Sequence, residues 1–440
     1  MLRPRRAAAA AAVAEPPFTG KTNDLVPAAD FWQPQPTTFE GKLGRLPANR
    51  SAVANLVWAT LPYLSKPPPA PIVTPDRPTP LVANCSGATW AGRRSTPAVL
   101  VDVFMFAWQL DLLEVRLHEL DGVVDRFVIW EGMYAQRGIE KPLVLSANLQ
   151  RFRRFRDRIT YIVQDDLDFQ ETLIGQRNRG KLGKSWEAAL ARGGIKRRAT
   201  AGQDWVNEDN RKPAAQRWLA TRAAAAAAAA AAAKVASGGA PEQPQTLFIF
   251  SDLDEVPSGE ALYQLKHCVP NPQAFMAGRK RPPSGSGVRS VPPLRIGMQA
   301  AFTFDVEHTV DAGIDVPSDI HVLSDIETQG PRYARYPLAP RALGLGTHLS
   351  RCVRPAELML KMWLQAEASE WRPGAMVPIA LDVRRWYERQ RTKRLRTNRA
   401  RRVEPSDNMR VPWFLEHNKA RFPYLFPSLF PDALDYYSSP

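Results

Sequence analysis

The sequence predicts an α/β fold built on a mostly parallel sheet, on three observations. Four short apolar segments rich in β-branched and aromatic residues are spaced along the chain like buried strands. The segment between the first two carries leucines at helical spacing, so strand and helix alternate as in a parallel sheet. The fourth strand runs directly into a cluster of carboxylates, at the end of the strand where open α/β sheets gather ligands.

The elements follow in order. Residues 1 to about 95 are rich in Pro and Ala and lack sustained periodicity, so they are expected to form a disordered stem. Order is expected to begin at Pro97, and one domain spans 96–430. AVLVDVFMFA (98–107) reads as the first strand. In QLDLLEVRLHELDG, Leu110, Leu113, Leu117 and Leu120 share one helical face with charges opposite, and Gly122 is a C-terminal stop. VVDRFVIWEG, ITYIV (159–163) and TLFIF (246–250) supply the remaining strands, giving Rossmann-type winding with flanking helices. Insertions are expected at about 175–203, 220–245 and 279–295. The second holds an uninterrupted alanine run, Ala223 to Ala233, which carries no chemistry.

Composition narrows the function classes. The 440 residues carry a net charge of +15, and ten Arg or Lys against Glu388 between Arg384 and Arg402 supply +9 of it. A solvated basic helix face or arm is the plain reading of that block; an anionic surface or a phosphosugar is the sharper one. No nucleic-acid module accompanies it, so no nucleic-acid partner is expected. Cys85, Cys268 and Cys352 form neither a disulfide framework nor a zinc pattern, which leaves the redox compartment open. Asn49-Arg50-Ser51 and Asn84-Cys85-Ser86 are sequons that matter only in the secretory pathway. No apolar run reaches the ~20 residues of a transmembrane helix, and the basic, alanine-rich start reads as a weak leader or as low-complexity sequence.

The sharpest feature is FIFSDLDEVP (248–257). In extended chain Asp252 and Asp254 share a face while Leu253 turns to the core. Two carboxylates so close repel each other unless a cation lies between them, and a hard divalent ion bound through oxygen fits. Asp252 and Asp254 are therefore the candidate metal ligands. Such an ion suits a sugar-nucleotide reaction, in which the departing diphosphate gains charge.

Beyond this motif the sequence resembles glycosyltransferase family 17. The resemblance rests on VDVFMFAWQLDLLEVRLHELDGVVDRFVIWEG, on KPLVL at 141–145, on the segment ending in ITYIV and on IFSDLDEVP itself. It continues in Trp205-Val206-Asn207-Glu208 with Arg211, in Gly346-Thr347-His348-Leu349-Ser350-Arg351-Cys352, and in the C-terminal stretch from Pro412 to Leu425. It implies a GT-A-like fold, UDP-GlcNAc as donor, a mannose-containing N-glycan or glycoprotein as acceptor, Mn2+ as the divalent metal and inversion at the anomeric carbon. It also implies a Golgi lumen or membrane setting. Inversion requires a carboxylate to take the acceptor proton. The candidates are Glu131, Glu208 and Glu255, with Asp305 and Glu307 behind them, and Glu131 is preferred because it ends a different strand. Glu131 equally suits a donor contact, and Glu255 a turn cap. Asp252, Asp254, Arg211, His348 and Lys141 are the expected donor-binding residues. Arg211 would clamp the diphosphate; its plain alternative is a surface ion pair with Glu208. Thr347 and Arg351 stand where the family has tryptophans, which puts the acceptor in question.

Two other classes compete. A haloacid-dehalogenase-like phosphatase also places DxD after a strand, but that strand normally opens the fold and a later lysine and acidic pair are needed. A catalytically degenerate glycan-binding module would not need Asp252, Asp254 and Glu255 intact. Trp130, Trp186, Trp205 and Trp413 are expected mainly in the core.

Overall fold

The computed structural model describes residues 57–132, 135, 141–164, 245–271, 294–310, 315–322, 345–364, 383–397, 400–403 and 410–438. Glu208, Arg211, Trp186, Trp205, the three insertions and the alanine run lie wholly or largely outside these residues.

In chain order the strands are β1 (Trp90–Arg93), β2 (Val99–Phe106), β3 (Arg126–Gly132), β4 (Ile159–Gln164), β5 (Thr246–Phe250), β6 (Glu255–Val256), β7 (Cys268–Pro270), β8 (Leu294–Thr303), β9 (Asp305–Val310), β10 (Asp315–Val322), β11 (Leu345–His348) and β12 (Arg401–Arg402). The helices are α1 (Leu61–Ser65), α2 (Leu110–Glu119), α3 (Val144–Ala147), α4 (Gly259–His267), α5 (Pro355–Leu364), α6 (Val383–Thr397), α7 (Trp413–His417) and α8 (Ala433–Tyr437).

The four expected strands lie side by side in the order β5-β2-β3-β4, all parallel. This mixed α/β architecture is the predicted class, and TLFIF falls on β5 without displacement. The expectation of a mostly parallel sheet is corrected on the far side of β5. There β10, β8, β9 and β12 continue the sheet in antiparallel pairings, and β11 joins parallel to β8 and antiparallel to β6. Hairpin-connected strands need no intervening helix, so the strand–helix alternation that revealed the first half carries no signal here.

The disordered-stem expectation is corrected over 57–95. Val57 and Leu64 belong to the core, Asn418 ties down the backbone of Val73 and Thr74, and β1 pairs with β7. Cys85 and Cys268, with Cα atoms 5.3 Å apart, form a disulfide across that pair. The segment is held by a few anchors at irregular spacing and a covalent bond, none of which produces periodicity.

Helix α2 also departs from the amphipathic pattern, because it is buried all round. Asp111, Glu114, Arg116, His118 and Glu119 are inside with the leucines. Arg354 grips Asp111 through both oxygens, and Arg151 and Arg421 bind Glu114. Buried charges of this kind are tolerable only when paired and hydrogen-bonded.

Candidate functional site

The site is built around β5 and the turn that leaves it. After Phe250 the chain passes Ser251 and closes a tight turn in which the Glu255 N–H donates to the Asp252 carbonyl at 3.0 Å. Leu253 and Glu255 are buried, while Asp252 and Asp254 stay partly open to solvent. The predicted division of the motif into an inward and an outward face therefore holds, although a turn produces it rather than extended chain.

A fully buried arginine holds this turn in place. Arg116 of α2 makes a bidentate pair with Asp102 of β2, at 2.8 and 2.7 Å. Its remaining N–H groups reach the Ser251 hydroxyl at 2.5 Å and the carbonyls of Asp252 and Glu255, each at 2.8 Å. The fixed fork of a guanidinium can serve an adjacent strand and a turn at once, which a lysine cannot. Sequence reasoning missed both residues. The available signal was Asp102 itself, a carboxylate in the middle of an otherwise apolar strand.

The GTHLSRC segment converges on the same turn. Strand β11 pairs with β6 so that His348 lies opposite Glu255, and the Leu349 N–H donates to the Asp254 carbonyl at 2.7 Å. His348 Nε2 stands 3.9 Å from Asp254 Oδ2. Lys361 of α5, another residue the sequence did not single out, sits 2.7 Å from the same oxygen. Burial alone would raise the Asp254 pKa, but the Lys361 ammonium and His348 outweigh it and hold the carboxyl down at about 2. Asp254 is thus an anion throughout the physiological range.

Of the expected site residues, Asp252, Asp254, Glu255 and His348 come together. Glu255, however, is buried with one carboxylate oxygen accepting the Asp252 N–H at 3.0 Å, so it braces the turn that precedes it. Glu131 and Lys141 meet each other instead. Glu131 does lie near the carboxyl end of β3, but its side chain is fully buried. It accepts from Lys141 Nζ at 2.7 Å, from the Val144 and Leu145 N–H groups at 2.7 and 3.2 Å, and from the Tyr161 hydroxyl at 2.6 Å. Lys141 spends its other protons on the carbonyls of Ala107 and Pro142. Four donors occupy one carboxylate that no solvent reaches, so the expectations of Glu131 as general base and Lys141 as donor ligand are corrected to a structural pair. A strand-end position fixes where a Cα lies; packing decides where its carboxylate points.

Asp305 and Glu307 are likewise engaged. Phe304, buried with φ +70° in the left-handed region, turns the chain between β8 and β9. Asp305 then accepts from Arg391 at 2.9 and 2.6 Å and contacts His308 Nδ1 at 2.7 Å, while Glu307 accepts from Ser428. Trp130 and Trp413 are buried, as expected of core residues.

The partly exposed carboxylates of the turn are those of Asp252 and Asp254. Among the described residues no group of three or more His, Cys, Asp or Glu side chains has the disposition of a self-sufficient metal centre. Two hard oxygen ligands are the usual protein share for a divalent ion that takes the rest of its shell from substrate phosphates and water, so the set fits an ion that arrives with a diphosphate.

Residues 65–179 match the model of glycosyltransferase family 17. The match supports a glycosyltransferase and covers Asp102, Arg116, Glu131 and Lys141, the frame beneath the carboxylate turn. It stops short of Asp252, Asp254 and His348. No curated protein and no solved structure matches the chain.

Proposed function

We propose that this glycosyltransferase moves N-acetylglucosamine from UDP-GlcNAc to a mannose of an N-glycan or glycoprotein, with inversion, on a GT-A-like fold. The observation that carries the reading is Asp252 and Asp254 facing outward at the carboxyl end of a parallel strand, beside His348 and Lys361. The disulfide is in keeping with a Golgi or other lumenal setting. No helix among the described residues is long and apolar enough to cross a membrane.

Asp252 and Asp254 would hold a divalent ion, Mn2+ in this proposal, which when bound offsets the charge that grows on the leaving diphosphate. The chain's own groups do the rest. Lys361 keeps Asp254 ionised and brings a positive charge to the diphosphate side. At an effective dielectric of 20, one unit-charge pair at 4 Å is worth roughly 4 kcal/mol. His348 presents a ring nitrogen to the same region, and Arg116 keeps the turn from shifting while charge develops. Arg211 supplies the diphosphate clamp. With Glu131 and Glu255 engaged in the structure, Glu208 is left of the three carboxylates to take the acceptor proton.

The test is Mn2+-dependent UDP release from UDP-GlcNAc by the purified full chain, with and without a mannose-terminated glycan. Asp252→Asn and Asp254→Asn should each lower kcat by about 10²–10³-fold, the typical loss when one transition-state stabilising group is removed. Normal turnover by the double variant would refute the metal assignment. Release from UDP-glucose or UDP-galactose in preference to UDP-GlcNAc would refute the donor.

A further inference from the structure

We propose that Asn84 is a site of N-linked glycosylation, modified before Cys85 is drawn into its disulfide. The inference is independent of the transferase reading. Three observations meet at this point. Asn84-Cys85-Ser86 is an acceptor sequon. Its middle residue is bonded to Cys268, a bond of the kind that persists in the oxidising compartments where such sequons are read. The acceptor side chain is exposed and already turned: Asn84 Oδ1 accepts from the Ser86 N–H at 3.1 Å and from the Ser86 hydroxyl at 2.6 Å.

In the folded protein the Ser86 hydroxyl thus stays beside the Asn84 amide, and the sequon keeps its turn at the surface. Among the described residues Nδ2 itself has no hydrogen-bond partner. The turn is anchored to α4, since the Asn84 N–H donates to Gln264 Oε1 at 3.0 Å and Gln264 returns a bond to the Val82 carbonyl. Gly87, with φ +89°, carries the chain away from it. Helix α4 begins just after the carboxylate turn and spans 9 residues. At about 1.5 Å per residue, the attachment point on Asn84 therefore lies some way down the helix from Asp252 and Asp254, toward its far end.

The step is a glycosyl transfer from a lipid diphosphate-linked oligosaccharide. Asn84 Nδ2 forms the new bond to the anomeric carbon, the bond from that carbon to the diphosphate oxygen breaks, the amide proton passes to a base of the modifying enzyme, and lipid diphosphate leaves. The disulfide forms separately: two thiols give up two electrons and two protons to the disulfide of an exchange catalyst, which becomes a dithiol. The order follows from chain length. Cys268 lies 183 residues after Cys85, so Asn84 is synthesised long before its neighbour's partner exists, and the acceptor is read while the segment is unfolded and accessible.

The test expresses the full chain in eukaryotic cells and measures its intact mass before and after peptide-N-glycosidase. The expected result is the loss of one oligosaccharide, abolished in Asn84→Gln and Ser86→Ala, kept in Asn49→Gln, with donor hydrolysis by Asn84→Gln unchanged. Cys268→Ser, which leaves Cys85 without a partner, should show the same occupancy as the native chain. An unmodified Asn84, or alkylation of Cys85 in the folded native protein, overturns the site. Occupancy that rises several-fold in Cys268→Ser overturns the order.

Discussion

Arg116 and Glu131 show how a single buried residue separates the shape of a site from its chemistry. Arg116 touches nothing that reacts, yet it binds the strand on one side and the carboxylate turn on the other. Arg116→Met would leave Asp102 in the core without its partner, a loss on the order of 3–5 kcal/mol. Urea unfolding should show that loss. Arg116→Lys, which keeps the charge but not the fork, should raise the donor KM as well as lower kcat, because the turn is no longer fixed. Glu131→Gln distinguishes the structural pair from a general base. It should lower the urea midpoint, since Lys141 then lies buried with its charge partner gone. A general base would instead lose kcat by about 10²–10⁴-fold at unchanged stability.

Among elements, the segment before β2 departs from what its composition suggests, while helix α6 keeps the basic face its composition implies. The proline-rich stretch 57–95 contributes Val57 and Leu64 to the core, Arg77 to a pair with Glu119, and half of a disulfide. A chain begun at residue 96 should therefore unfold at lower urea or fail to accumulate. Loss of the disulfide alone costs about 2–5 kcal/mol, and Cys85→Ser in the full chain isolates that share. Helix α6 bears most of the basic block, and the plain reading of a basic helix face suits it. Arg385, Arg389 and Lys393 are exposed, while Trp386, Tyr387 and Gln390 are buried and Arg391 pairs with Asp305. Arg391→Ala should thus destabilise the fold. Arg389→Ala should change stability by less than about 0.5 kcal/mol, as surface substitutions generally do.

At the scale of the whole molecule, buried acids set a pH dependence. Burial pushes Glu357 up to about 8, and one of its oxygens has no partner among the described residues. Burial likewise raises Glu119 to about 7. In the unfolded chain both ionise near the ordinary glutamate value of about 4.5. Between that value and the folded pKa the native state holds a proton that the unfolded state has released, so stability falls as pH rises. Burial also lowers His118, stacked on Phe414 at 4.0 Å, to about 4. It therefore acts oppositely, withdrawing stability as pH falls below about 6.5. Above that its effect is spent: the urea midpoint should decline from pH 6.5 to 8, and Glu357→Gln should flatten most of the decline above pH 7.

The sequence by itself determined the parallel half of the sheet, the helical span and buried leucines of α2, and the strand that leads into Asp252 and Asp254. Each of these depends on local periodicity or on the alternation of a few adjacent residues, and local geometry enforces it. Tertiary structure decided the rest. The antiparallel half pairs strands without a helical rhythm between them. The disulfide joins residues 183 positions apart. The charges of α2 find their partners on β2, on the residue preceding α5 and on the C-terminal turns, and Glu131 points into the first turn of α3 rather than toward solvent. A carboxylate's role depends on which donors surround it. Those donors come from distant segments, so the same glutamate reads as a base in one dimension and as a buried acceptor in three.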